Sequence, residues 1–229
     1  MPGGGQDKEA RIMRHPMNHD DERREFFDRH AAGWEDRNYS TETLDRVRAM
    51  LAGLNLQVGS TILDAGCGQG VLIPFLRAIV GDGARLVALD ASAPMLAALP
   101  VKDPHVTAIH APAERIPLID GYVDTVICFS AFPHFSDKPL AAKEFFRVLK
   151  PGGAVYVLHL MGSEALCRHH DRHHAVQGDY LPCPHGMRTM FGEAGFTAME
   201  LHDSPERYHF CAVKPEEPAR PGNASGGAS

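Results

Sequence analysis

Five short runs decide what this chain can fold into: TILDA (61–65), RLVALD (85–90), HVTAIH (105–110), VDTVICF (123–129) and AVYVLHL (154–160). Each is apolar on both faces and rich in β-branched residues, so each reads as a strand with no face left for water. Such strands belong to a parallel sheet covered by helices on both sides. The segments between them supply the helices. Val71–Val80 is one; Ser92–Leu99, capped by Ser92, is the next; Pro139–Leu149 follows Asp137 as its cap and stops at Pro151-Gly152-Gly153. Upstream, Ser40 or Thr41 can cap a helix whose Leu44, Val47, Leu51 and Leu54 follow a +3, +4, +3 spacing. Glu22–Ala32 reads as a further helix, carrying Phe26 and Phe27 and leading to Trp34, the only tryptophan. A helix near Met187–Ala194 precedes two final strands, FTAMEL (196–201) and RYHFCAV (207–213). Strands alternating with helices over this length predict an α/β fold with a doubly wound sheet.

The remaining composition narrows the class. Residues 1–19 and 215–229 are too poor in apolar side chains to fold and are expected as disordered tails, leaving 20–214 as one domain. With 23 basic against 29 acidic residues, the net charge is −6. That balance argues against nucleic acid as the main partner, since affinity for phosphate backbones needs clustered Lys and Arg. No apolar run approaches the ~18 residues of a membrane helix; the best, Val71–Val80 and Ala154–Met161, are broken by Arg77 and His159. The opening MPGGGQDKEARIMRHP has no apolar core for a secretory signal. Five cysteines without a CxxC pair fit free thiols in a reducing cytosol, so a cytoplasmic location is expected. No feature fixes an oligomeric state.

The strongest chemical signal is Leu63-Asp64-Ala65-Gly66-Cys67-Gly68-Gln69-Gly70, where the first strand meets its helix. A glycine-rich turn there lets the backbone approach a ligand closely. Asp64 stands just before the glycines, and Asp90 ends the second strand, where an acid accepts hydrogen bonds from a ribose diol. A nicotinamide dinucleotide fits less well. Val71 stands where its fingerprint wants Gly or Ala, and a buried Asp64 sits badly beside a pyrophosphate but well beside an ammonium. The implied ligand is a nucleoside joined to an amino acid.

The blocks ILDAGCGQG, ALDASAPML, APAERIPLIDGYVDTVICFSAFPHF and EFFRVLKPGG, in this order, resemble a class I S-adenosylmethionine-dependent methyltransferase. The resemblance covers about residues 25–213 and is nearest the small-molecule group that includes the quinone-biosynthesis enzymes. It implies a Rossmann-like sheet ending in an antiparallel hairpin, a helical lid over 20–57 and a substrate-side insertion over 161–186. It implies S-adenosylmethionine as cofactor, with Gly66, Gly68 and Gly70 along its methionine part and Asp64 on its ammonium. Asp90 would take the ribose hydroxyls, Ala91 and Met95 would flank the adenine, and Ala113 and Glu114 would meet its edge. Phe129 and Ser130 would lie beneath the sulfonium, and Trp34 would belong to the lid, unless it is plain core packing. Pro112 stands where the family usually has an acid, so Glu114 or a backbone carbonyl would replace that contact.

The activity implied is methyl transfer to a small molecule: either a quinone-like or phenolic acceptor, or a thiol, sulfide or metalloid. RNA or protein methylation, or cofactor binding without catalysis, are the rival readings. A phenol or enol needs a base, worth roughly 10²–10⁴-fold in rate; a soft nucleophile needs little beyond ionisation. His134, His159 and His169 are the candidates for an active-site role, because histidines stand at these positions in similar methyltransferases. His169/His173 and His170/His174 would be i,i+4 pairs on a helix. They could clamp zinc or simply form a solvated face, and no metal is assigned. Cys67 and Cys128 read as packing residues, whereas Cys167 and Cys183 could meet a soft acceptor.

Overall fold

The five apolar runs lie side by side in one seven-stranded sheet of order β3-β2-β1-β4-β5-β7-β6. The computed structural model describes residues 19–99, 104–172 and 174–216. Helices α1 (His19–His30), α2 (Trp34–Asn38) and α3 (Thr41–Ala52) precede β1 (Thr61–Ala65). There follow α4 (Ile73–Val80), β2 (Arg85–Asp90), α5 (Ala93–Ala97), β3 (Val106–His110) and β4 (Val123–Phe129). The chain continues through α6 (Lys138–Val148), β5 (Leu149–His159), α7 (Ser163–His170), α8 (Pro184–Glu193), β6 (Thr197–Ser204) and β7 (Arg207–Val213). Strands β1 to β5 are parallel, and β7 runs antiparallel to both β5 and β6, which is the expected terminal hairpin. The tails 1–19 and 215–229 fall almost wholly outside the described residues, and His173 lies entirely outside them.

Alternation along each strand sorts its side chains into two layers. Leu63, Ala65, Val87, Leu89, Val126 and Cys128 face a core shared with Phe145, Phe191 and Phe210. Ile62, Leu86, Ile127 and Phe129 face the other, with Val47 and Leu51 of α3 and Leu76 and Val80 of α4. Asp64 shares its parity with Ile62, so its burial follows from the register of β1. The helix starts obey their caps: Thr43 N–H donates to Ser40 Oγ at 3.2 Å, Met95 N–H to Ser92 Oγ at 3.3 Å, and Leu140 N–H to Asp137 Oδ1 at 2.9 Å.

Two boundaries depart from the sequence reading. Helix α4 begins only at Ile73, because residues 70–72 form a turn closed by the Ile73 N–H donating to the Gly70 carbonyl at 2.9 Å. Strand β5 begins at Leu149 rather than 154: Leu149 pairs with Val123, and the backbone at Gly152 and Gly153 is hydrogen-bonded to Lys214. The Pro-Gly-Gly that ends α6 therefore sits inside an irregular strand, held by its neighbours rather than by its own propensity. Because the chain runs outward through β2 and β3 and returns to β4 beside β1, the topological switch point lies between β1 and β4. The carboxyl ends of these strands are where an open α/β sheet receives its ligand.

Candidate functional site

A cavity of about 270 Å³ opens at that switch point. Of the cofactor-side residues named from the sequence, Asp64, Gly66, Gly68, Asp90, Ala91, Met95, Ala113, Glu114, Phe129, Ser130 and Trp34 all line it. Gly70 does not. It is buried at φ +90°, and a Cβ there would stand 2.8 Å from Ile73 Cδ1 and 3.2 Å from Leu99 Cδ1, so its work is packing. Gly66, at φ +77°, lets the turn pass beneath Ala131, whose Cβ would be 2.3 Å from an added Cβ. Ser130 also holds a left-handed φ of +54° while lining the cavity, a strained posture that concentrates at ligand sites.

The turn is not an anion cradle. The N–H groups of Gly66 and Cys67 both donate to the Leu89 carbonyl, at 2.8 and 3.0 Å, and Gly68 N–H donates to Asp90 Oδ2 at 2.8 Å. These three amides, which a phosphate would need, are already engaged within the protein. What faces the cavity instead is acid. Asp64 is 3% exposed and its Oδ2 has no partner; Glu35, at the start of α2, has a buried Oε1 with none either. Burial, reinforced by the nearby Asp90 and Glu35 charges, pushes Asp64 up to about 8. Burial likewise raises Glu35, with Asp36 adding to it. A buried carboxylate oxygen without a hydrogen bond is costly, so this end of the cavity is complementary to a cation. An ammonium fits it and a pyrophosphate does not. Asp90 is fixed by Gly68 N–H on one oxygen and Ser92 N–H on the other, each at 2.8 Å, leaving further lone pairs for hydroxyl donors. Glu114 lines the cavity while its Oε1 accepts from Asp137 N–H at 3.1 Å.

The opposite end is assembled from distant segments. His134, in a 3₁₀ turn after β4, has its Nδ1 2.7 Å from Asp179 Oδ2, which fixes the tautomer with Nε2 as acceptor. Arg23 of α1 grips the same carboxylate with Nε at 2.9 Å and Nη2 at 2.8 Å, and its Nη1 donates to the His134 carbonyl at 2.9 Å. Burial holds His134 below the ordinary imidazole range despite Asp179. Burial would raise Asp179, yet His134 and Arg23 together hold it below the usual carboxylate range. Phe27 packs edge-on to both His134 and Trp34, at 5.1 and 5.6 Å between ring centres. The segment joining α1 to α2 is tied down beside the glycine turn by Gln69, whose Nε2 donates to the Ala31 carbonyl at 2.7 Å while its Oε1 accepts from Glu35 N–H at 3.2 Å.

The other two histidines named from the sequence stay out of the cavity. His159 is buried against Tyr208 at 6.3 Å, because the pleat of β5 turns it into the core; burial drives it down to about 3. His169 is exposed on the outer side of α7, beside a shallow groove with Arg168 and Arg172. Its neighbour His170 is the one turned inward, donating from Nδ1 to the Asp179 carbonyl at 2.6 Å, its ring 4.9 Å from His134. Helix α7 ends at His170, so His170 and His174 do not share a helix face. Among the described residues no three His, Cys, Asp or Glu side chains converge on a metal-sized site. Arg23, Glu35 and Gln69 escaped the sequence reading. Gln69 and Glu35 had a visible signal in their positions beside the glycine turn and Trp34; Arg23, one charge among many in HDDERREFFDRH, had none.

Residues 63–157 match a family model described as a methyltransferase domain. An uncharacterized methyltransferase of Schizosaccharomyces pombe is 39% identical over 99 residues, 43% of this chain and 38% of that protein. The ubiquinone/menaquinone biosynthesis C-methyltransferase of Vibrio parahaemolyticus is 35% identical over 106 residues, covering 44% of this chain and 41% of the relative. The chain thus spans about two fifths of the length of the curated relatives it matches. Among solved structures, a methyltransferase in complex with the Haloferax volcanii Trm112 methyltransferase activator aligns with a TM-score of 0.71 at 21% identity, over 83% of this chain and 98% of that one. The Haemonchus contortus phosphoethanolamine N-methyltransferase 2, in complex with S-adenosyl-L-methionine, aligns with a TM-score of 0.70 at 19% identity, over 85% of this chain and 60% of that one.

Proposed function

The chain carries a class I S-adenosylmethionine-dependent methyltransferase domain, and from that premise we propose that the protein methylates a small molecule bearing an acidic hydroxyl, of the phenol or enol class, with His134 as general base. The observation that carries this is the pairing of His134 with Asp179 on the wall of the same cavity whose other end presents the unpartnered Asp64 and Glu35 oxygens.

S-adenosylmethionine, when bound, supplies a methyl already activated on a sulfonium. Asp64 and Glu35 would hold its ammonium, and Asp90, with both oxygens steadied by backbone amides, would take its ribose hydroxyls. Trp34 and Phe27 line the cavity from the α1–α2 side, while Phe129 and Met95 give it an apolar floor. The neutral imidazole of His134 accepts the hydroxyl proton at Nε2, and Asp179 stabilises the imidazolium that results. Cys167 and Cys183 are exposed and line no part of the cavity, which weighs against a thiol-seeking or metalloid acceptor. Among the described residues no helix is long and apolar enough to cross a membrane.

The test is calorimetry with S-adenosylhomocysteine followed by a screen with labelled donor against phenols, enols, thiols and RNA. Binding that falls about 100-fold or more in Asp90→Ala, with label passing to a hydroxyl-bearing class, is the expected result. Label passing only to thiols or to RNA would overturn the acceptor class, and unchanged affinity in Asp90→Ala would overturn the donor site.

A further inference from the structure

Helix α1 is an unusual element to find closed over a cavity. Its sequence, HDDERREFFDRH, offers Phe26 and Phe27 as its only large apolar side chains, so little hydrophobic burial holds it in place. Polar contacts hold it instead. Asp28 accepts from Ser92 Oγ at 2.5 Å, and Ala31, just past its end, accepts from Gln69. Arg23 adds a buried ion pair, its side chain 11% exposed and that of its partner Asp179 3% exposed. An element with this balance opens locally more readily than the sheet beneath it. A buried ion pair is itself weak evidence for stability, since apolar replacements often serve as well. The forked geometry therefore calls for a reason besides stability, and Asp179 supplies one: the Oδ2 gripped by Arg23 Nε is the same oxygen that holds His134 Nδ1.

We propose that α1 is a latch that completes the base: Arg23 is a positioning residue that, only when α1 is seated, locks Asp179 and through it the His134 imidazole into the proton-accepting pose. The proposal rests on the reading of His134 as base and extends it. Closure and base activation then become one event, so the acceptor is deprotonated only once α1 is seated over the cavity. The groups facing His134 fit that role from each side. Arg23 comes from α1, Asp179 and His170 from the segment after β5, and His159 lies behind from β5; Asp20 of α1 pairs with Arg23, and Lys138 of α6 stands near Asp179 and Arg23.

The experiment compares Arg23→Gln, Arg23→Lys, Asp179→Asn and His134→Gln in the full chain. It measures S-adenosylhomocysteine affinity, hydrogen exchange over residues 19–38, and kcat and KM against pH for the acceptor found in the screen. In Arg23→Gln, α1 loses its exchange protection and kcat falls by about 10-fold or more, with a clearly smaller loss of donor affinity. The acidic limb of its kcat profile moves to higher pH, because the cation that disfavours imidazolium is gone. Asp179→Asn moves that limb to lower pH, since the anion that favours imidazolium is gone. Arg23→Lys keeps the charge without the fork and falls between the wild type and Arg23→Gln in both exchange and kcat. Unchanged exchange and kcat in Arg23→Gln, alongside an inactive His134→Gln, would overturn the latch while sparing the base. So would a loss of donor affinity as large as the loss of kcat. Full turnover in His134→Gln would remove the base reading and the coupling together.

Discussion

The two ends of the cavity are built on opposite principles. At the glycine turn, acids are left short of partners: Asp64 Oδ2 and Glu35 Oε1 are buried and bare. Around His134 the polar groups answer one another, with one carboxylate serving Arg23 and the imidazole at once. An incomplete array gains free energy when a complementary ligand arrives; a completed one gains nothing by binding but holds its geometry in advance. On the proposed reading, the donor end is open to a cation and the His134 end is preorganised to move a proton.

Neutralising the donor end is the harshest way to break this contrast. Asp64→Asn is expected to weaken S-adenosylhomocysteine binding by roughly 10–100-fold while leaving hydrogen exchange over α1 unchanged. The same carboxyl makes binding pH-dependent in the wild type. It is pushed up to about 8 in the free protein, and an ammonium favours its ionised form. Binding near pH 7 should therefore release a proton, with affinity rising up to ~10-fold per pH unit and levelling above pH 8. Calorimetry in buffers of different ionisation enthalpy reads that proton directly, and affinity flat across pH 6–8 would contradict the assignment.

A smaller effect sharpens the contrast through stability. The folded state binds the Asp64 proton more tightly than the unfolded state does. The free protein should thus lose stability as pH rises from about 4 to 8, and Asp64→Asn should recover it. We expect the variant to gain on the order of 1–3 kcal/mol at pH 8, seen as a higher melting temperature, even as it binds donor poorly. His159 carries the opposite sign. Its folded value near 3 lies below the ordinary imidazole, so stability is lost as pH falls from about 6.5 toward 3, by up to ~1.4 kcal/mol per pH unit. His159→Leu should remove that slope, and a variant as acid-sensitive as wild type would argue against it. Smallest of all, Gln69→Ala should cost the α1–α2 segment about 1 kcal/mol, a roughly 5-fold faster exchange near Ala31 and Glu35, without touching the His134 array.

The local features were legible in the sequence because they depend on residues close in the chain. The caps at Ser40, Ser92 and Asp137 bond amides three residues on, and the strands follow a two-residue period. The acid at the end of β1 and the acid at the end of β2 were legible for the same reason, as neighbours of a turn. Legibility failed where a side chain's direction depended on what lay opposite. His169 and His170 are adjacent in sequence, yet one rotation step of α7 leaves the first in solvent and turns the second toward Asp179. His159 stands near the end of a strand that feeds the cavity, but the pleat aims it at Tyr208. The early start of β5 at Leu149 needed β4 and Lys214 beside it, which no property of Pro-Gly-Gly announces.

The sheet, the glycine turn and the acids that flank it were written in the chain's local order, because torsional preference, periodicity and short-range hydrogen bonding act over a few residues. Only the tertiary structure decided that the turn's amides are engaged by β2, and that Arg23 meets a carboxylate 156 residues away. The geometry of contacts of that range is set by packing that no local pattern encodes.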